Sequence, residues 1–365
     1  MTCFYIRVDR VFRNSQMSTI DKNQVVEDQI QIPVELCKRD SDLFVVLLTL
    51  QRSYFREPFF IDSLARSFSI LKAEIKLPEE DELLARPVHY DETDKRVVYI
   101  QIDEFIKRYS GIEIDKKLGF IFHMSRCGST LATQMLASSD RFFVLSEPTI
   151  INAVLDPALN ITPEKRKLLL KATIHALVIC SPLTCEQVFI KFRSWNIFYL
   201  DFILKEFLYT KWLFIHRDGL EVMSSVFQKP PGWLRSRKIY GKYFCNLLGI
   251  SEETLQKISY DEYTARILGT FCQIAKSTDS KLGLFLDYDD LKNKFMSVVN
   301  RVWGIESTDK EKQIMDDTSR LYSKDVNKMA EFKSDSEEKR KAATNEQREY
   351  SDKYIEVVRK KLKNE

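Results

Sequence analysis

The stretch Phe120-Ile-Phe-His-Met-Ser-Arg-Cys-Gly-Ser-Thr-Leu-Ala-Thr-Gln-Met-Leu136 constrains this chain more than any other. It opens as an apolar run and turns through small and polar residues from Ser125 to Thr130. It then resumes with Leu131, Met135 and Leu136 at helical spacing. Strand, tight loop and helix in that order make a phosphate-binding corner. The first amides of such a helix have no carbonyl one turn behind them, and the aligned peptide dipoles add positive potential, so the corner holds an anion. The plain alternative is a buried strand turning into a helix. The Arg-x-Gly-Ser-Thr composition fits an anion nest better.

The loop is not the nucleotide-hydrolase version, which reads Gly-x-x-x-x-Gly-Lys-Ser/Thr. With its second glycine set on Gly128, His123 stands at the first glycine and Ser129 at the lysine. The cation is instead Arg126, two residues before the glycine, which suits an anionic group lying beside the loop without a bridging metal. Nor does an apolar strand end in an aspartate that would plainly serve as a second Mg²⁺ ligand. A nucleotide kinase or hydrolase is therefore the weaker reading.

The loop resembles that of the sulfotransferase superfamily, Pro-Arg/Lys-x-Gly-Thr/Ser-Thr after a strand. Ser125-Arg126-Cys127-Gly128-Ser129-Thr130 departs from it only in Ser125 for Pro and Cys127 for Ser. Three further segments follow in the family's order. In Trp212-Leu-Phe-Ile-His-Arg-Asp-Gly-Leu-Glu-Val-Met-Ser-Ser-Val-Phe227, Arg217 ends an apolar run, Asp218-Gly219 offers turn and N-cap chemistry, and Ser225 falls eight residues after Arg217. That is the spacing of the family's 3′-phosphate motif, and two helical turns bring a hydroxyl round to a phosphate that an arginine fork clamps. Lys229, one turn beyond Ser225, would add a second cation. Taken alone, Arg217 would read as a surface ion pair, but Ser225 in register after an apolar strand favours the phosphate reading.

Glu147, in Leu145-Ser-Glu-Pro148, follows Arg126 by 21 residues. A glutamate at this place is the catalytic base in tyrosylprotein, several Golgi-type and bacterial sulfotransferases. Its other reading is a carboxylate stabilised at a helix N-terminus. Lys191, in Val188-Phe-Ile-Lys-Phe-Arg193, matches the lysine that stabilises the bridging oxygen between phosphate and sulfuryl group. Cytosolic small-molecule members carry their histidine base two residues after this lysine. Here that position is Arg193, which cannot act as a base near neutrality. Tyr288, in Leu284-Phe-Leu-Asp-Tyr-Asp-Asp-Leu291, matches a tyrosine near the adenosine end of the donor, or simply packs on the sheet. Asp289 and Asp290 read as cap residues.

The resemblance implies an α/β fold of P-loop type: a doubly wound, mostly parallel sheet with helices on both faces. The implied activity is transfer of a sulfuryl group from 3′-phosphoadenosine 5′-phosphosulfate (PAPS) to an acceptor hydroxyl of unspecified class. Arg126 with the amides of Cys127, Gly128, Ser129 and Thr130 would hold the 5′-phosphosulfate. Arg217, Ser225 and Lys229 would hold the 3′-phosphate, and Tyr288 would lie at the adenosine. Glu147, Lys191 and Arg126 would carry the chemistry. The rival readings are a nucleotide kinase or hydrolase, and a non-catalytic protein that binds PAPS or its product on the same fold.

A length of 365 residues with 44% hydrophobic residues suffices for one large domain plus a smaller module. The expected division is an accessory α/β module over 1–112 and the main domain over 113–365, with a charged helical tail over 307–365 packing back on it. In the module, Arg96-Val-Val-Tyr-Ile-Gln-Ile-Asp103 alternates as a strand, and Glu57-Pro-Phe-Phe-Ile-Asp62 with Leu64, Ile70 and Leu71 reads as a helix entry. In the tail, Tyr322, Met329, Phe332 and Tyr354 punctuate a polar helix, and Ser323 and Lys324 are candidates to close the donor cleft. A net charge of only +3 is not that of a nucleic-acid-coating protein. Seven cysteines without repeating spacing do not make a disulfide framework, and no His/Cys cluster has zinc spacing, so no metal is expected. Residues 1–10 lack a signal-peptide pattern and the apolar run 43–50 is too short to span a bilayer, so the expectation is a cytoplasmic enzyme.

Overall fold

The computed structural model describes residues 29–39, 41–53, 55–67, 95–278, 281–321 and 336–362. The expectations for residues 1–10, Ile70, Leu71, Tyr322, Ser323, Lys324, Met329 and Phe332 lie outside them. Two units are distinguished, one of 29–55, 60–116 and 148–185, the other of 56–59, 117–147 and 186–362.

In the first unit the apolar run near residue 45 is a strand. β1 (Gln29–Arg39) and β2 (Asp42–Gln51) pair antiparallel, and β3 (Val97–Gln101) joins the other side of β2. Pro33 has no amide to donate, and it sits on the edge strand beside a register shift between Pro33 and Glu35. Helices Phe60–Ser67, Ile102–Tyr109, Thr149–Leu155 and Pro163–Ile179 belong to the same unit. The Thr149 hydroxyl donates to the Val34 carbonyl at 2.6 Å, and His175 Nδ1 meets the Tyr109 carbonyl at 3.0 Å. Arg166 gathers the Val154, Asp156 and Leu159 carbonyls, satisfying acceptors that the end of the helix leaves open.

The second unit is built on five short apolar runs, each followed by a polar turn. They form β4 (Lys117–His123), β5 (Phe142–Ser146), β6 (Gln187–Lys191), β7 (Lys211–His216) and β8 (Gly283–Asp287). All pair parallel, in the order β5-β6-β4-β7-β8. β5, β6 and most of β4 and β7 are buried residue after residue, as strands covered on both faces must be. The aromatic core includes Phe122 stacked on Phe192 at 4.5 Å and set edge-on to Trp212. The connection leaving β4 leads toward one end of the strand order, and the three later ones lead back toward the other. The strand order thus reverses at β4, and in such sheets ligands sit beyond the carboxyl ends of the strands at that reversal.

The charged tail is not merely a solvated appendage. Its described helices include Asp309–Ser319, Ser336–Ala342 and Asn345–Tyr350, followed by a wide turn over Ser351–Glu356. Ile355 is buried, and the Tyr354 hydroxyl donates to Glu262 and accepts from Arg266. This approach needs a glycine: a Cβ on Gly269, within helix Tyr260–Ser277, would lie 2.1 Å from the Tyr354 carbonyl oxygen. Gly269→Ala should therefore lower the unfolding free energy by about 1–3 kcal/mol. It should also make the chain beyond Thr344 sensitive to protease, as denaturant titration and limited proteolysis will measure.

Candidate functional site

Each of the five parallel strands ends at a residue singled out from the sequence. β4 runs into the loop Ser125 to Gly128, β5 into Glu147, β7 into Arg217 and β8 into Tyr288, while Lys191 is the last residue of β6. Backbone bonds extend the ladder past the strand ends: Met124 N donates to the Ile215 carbonyl and Glu147 N to the Lys191 carbonyl. The site residues thus continue the sheet.

The loop has the backbone of an anion nest. Ser125 and Arg126 have φ of 81° and 47°, and Gly128 has φ of 81°. Only glycine adopts this region without strain, and non-glycine exceptions gather where function over-determines the backbone. Gly128 must also lack a Cβ, which would lie 2.7 Å from the Tyr288 ring. The first bond of helix Ser129–Ala137 runs from Ala132 N to the Gly128 carbonyl, so the amides of Ser129, Thr130 and Leu131 precede the helix ladder. Arg126 reaches the Lys229 carbonyl. Cys127 turns inward: its thiol donates to the Ile215 carbonyl at 3.0 Å, and burial pushes its pKa up to about 12. Its side chain is inert, which leaves it the amide role expected for it.

Lys191 is fully buried, its Nζ 3.0 Å from Glu147 Oε1 and 3.3 Å from Thr130 Oγ1. It ties the loop after β4 directly to Glu147. Glu147 keeps 20% of its side chain exposed. His123 Nε2 stands 3.7 Å from Oε1, and Arg193 Nε 3.8 Å from Oε2. Burial disfavours the carboxylate, but the Lys191 ammonium, then His123 and the Arg193 guanidinium, outweigh it and hold the pKa down at about 2. Glu147 itself has φ of 61°, a third strained residue at this edge.

The second corner is equally ordered. Asp218 caps helix Gly219–Gln228 through the Leu220 and Glu221 amides, as its sequence predicts. Arg217 is buried, its Cζ 4.0 Å over the Tyr288 ring, its Nε 2.6 Å from Glu221 Oε2 and its Nη2 2.9 Å from Ser336 Oγ. Glu221 is 1% exposed and also meets Arg340 at 2.6 Å. Helical spacing sets Glu221 and half-buried Ser225 on one face. Lys229 closes this helix as its C-cap, its amide donating to the Ser225 carbonyl one turn back. One expectation needs amending and one alternative falls. The cap at Tyr288–Trp303 is Asp287, which accepts from Asp289 N, whereas Asp289 and Asp290 lie in the first turn. Arg217 is no surface ion pair, because both it and Glu221 are buried.

Sequence reasoning passed over His123, Glu221, Ser336 and Arg340. The four-residue spacing of Arg217 and Glu221 was a usable signal. Nothing local announced that Ser336 and Arg340 return to the same corner. Among the described residues no group of three or more His, Cys, Asp or Glu is placed to hold a metal, and no helix is long and apolar enough to cross a membrane.

Glu147 ionises more readily folded than its ordinary 4.5. Its ion pair therefore contributes stability above about pH 4.5 and loses it as the pH falls toward 2. Glu147→Gln strands the buried Lys191 charge and should lower the unfolding free energy by about 3 kcal/mol at neutral pH. Urea denaturation should show the gap to wild type closing as the pH falls below 4.5. A gap independent of pH would exclude the ion pair as its source.

No family profile matches this sequence, and no curated protein matches it. Among solved structures, the chain is similar to sulfotransferase STF9 from Mycobacterium avium, with a TM-score of 0.39 and 11% identity over 59% of this chain and 71% of that one. It is also similar to retinol dehydratase in complex with retinol and PAP, with a TM-score of 0.37 and 16% identity over 74% and 89% of the two chains. The same enzyme with androsterone and inactive cofactor PAP gives 0.31 and 17%, over 73% and 84%. Superpositions this loose assign no role to any side chain.

Proposed function

We propose that the protein transfers a sulfuryl group from PAPS to an acceptor hydroxyl. The observation that carries this reading is the position of Lys191, bonded at once to Thr130 of the phosphate loop and to Glu147. Such a bridge suits a reaction in which one group must neutralise a leaving phosphate oxygen while its neighbour accepts a proton. The four sequence segments resembling sulfotransferases support it independently, since each ends on the carboxyl edge of one sheet.

In this account the nest amides and Arg126 bind the 5′-phosphosulfate, and Arg217 with Ser225 binds the 3′-phosphate. The S–O bond to the phosphate breaks as the acceptor oxygen bonds to sulfur. The acceptor proton passes to Glu147, and the electron pair stays on the phosphate oxygen of the released bisphosphate. Rate enhancement comes mainly from alignment and preorganised charge. A carboxylate at about 2 is a feeble base. An anionic donor at the loop competes for the Lys191 ammonium, and each share of that charge withdrawn from Glu147 strengthens it as a base. The resting ion pair thereby keeps the base weak until the donor is present.

Two measurements test the assignment. Glu147→Gln should keep affinity for 3′-phosphoadenosine 5′-phosphate nearly unchanged while turnover falls about 10²-fold or more. Unchanged turnover removes Glu147 from the role. In calorimetry, Arg217→Ala should weaken the 3′-phosphorylated nucleotide far more than its 3′-dephospho analogue. Equal losses reject the 3′-phosphate site, and preference of the wild type for ATP with Mg²⁺ turns the reading toward a kinase or hydrolase.

A further inference from the structure

His123 is the last residue of β4 and is buried. Its Nδ1 lies 3.1 Å from the backbone nitrogen of Ser125. An amide N–H can only donate, so Nδ1 accepts and carries no proton. The ring proton is then on Nε2, the nitrogen 3.7 Å from Glu147 Oε1. A second proton on the ring would set two N–H groups against each other across the Ser125 contact. The loop conformation thus fixes the tautomer as well as the ring's orientation.

The two ends of this imidazole touch unlike things. One supports Ser125, whose φ of 81° is the first strained step of the nest. The other faces the same carboxylate oxygen as Lys191, while Arg193 faces Oε2 at 3.8 Å. Lys191 and Arg193 bring positive charge to Glu147, and the imidazole turns its Nε2 edge toward the same carboxylate. Lys191 and His123 thus share Oε1, and Arg193 faces Oε2.

We propose that His123 is a positioning residue for the sulfuryl transfer above, a neutral Nε2–H imidazole that couples the phosphate loop to Glu147. This rests on the reading of the site as a sulfotransferase centre.

The two ring nitrogens can be tested separately in the full-length protein. In His123→Asn the amide oxygen stands near the place of Nδ1, so the loop keeps its acceptor and the carboxylate loses its donor. In His123→Gln the amide nitrogen reaches toward the place of Nε2, and the loop loses its acceptor. The Asn variant should bind 3′-phosphoadenosine 5′-phosphate within about twofold of wild type, yet turn over about tenfold more slowly. The acid limb of its kcat/KM profile should rise by about half a unit. The Gln variant should lose about tenfold in nucleotide affinity with the acid limb unmoved. Nitrogen-15 spectra of histidine-labelled wild type, which need no activity, should show an unprotonated Nδ1 at neutral pH. A protonated Nδ1, parallel losses of affinity and acid limb in both variants, or no change in either would overturn the proposal. If the wild type bound no 3′-phosphorylated nucleotide at all, the sulfotransferase reading itself would fail and take this role with it.

Discussion

A fully buried ammonium at the end of β6 is the constraint on which this architecture turns. Removing a lysine from water costs several kcal/mol after relaxation, and one carboxylate returns that cost only when geometry is close. Lys191 meets the condition with Glu147 at 3.0 Å and Thr130 at 3.3 Å. To present those partners, β5 must end one residue before Glu147 and β4 must turn into its helix at Gly128. Three adjacent strands are thereby held in register at their carboxyl ends by one cation. Such a pair is weak evidence of stability for its own sake, since apolar residues would serve a core as well. Its retention at a strained edge fits a functional origin.

The second corner obeys the same logic with the signs exchanged. Glu221 is a buried anion, and Arg217 and Arg340 neutralise it from two sides. Arg217 also lies over Tyr288, whose ring fills the space that a side chain on Gly128 would need. The two corners therefore communicate through one aromatic ring. A phosphate arriving at Arg217 would compete with Glu221 for the guanidinium, much as a donor at the loop would compete with Glu147 for Lys191. On the proposed reading both sites would be charge-balanced before a ligand arrives, and selectivity would follow from which anion offers better geometry than the resident carboxylate.

Where strand and helix signals were local, the chain was legible. The apolar run from Phe120 followed by small polar residues announced both the strand and the loop, and Asp218 announced its cap. Arg217, Glu147, Lys191 and Tyr288 were each singled out by their match to segments of the sulfotransferase superfamily, and the sheet delivers them all to one edge. Long-range returns were not legible. Ser336 and Arg340 reach Glu221 from over a hundred residues away, and their charged helix reads in sequence like any solvated one. The grouping of 148–185 with the residues before 117 depends on packing among helices whose apolar faces carry no address. His123 was hidden for another reason: a lone histidine after an apolar run is usually core, and only the Ser125 amide reveals its tautomer.

The most direct test of the central claim is a crystal structure of the protein with 3′-phosphoadenosine 5′-phosphate bound. The account predicts the 5′-phosphate within hydrogen-bonding reach of the Gly128 to Thr130 amides and of Lys191. It predicts the 3′-phosphate against Arg217, with the nucleotide spanning the ends of β4 and β7. A nucleotide bound elsewhere, or one whose 3′-phosphate faces solvent while Arg217 stays on Glu221, would contradict it.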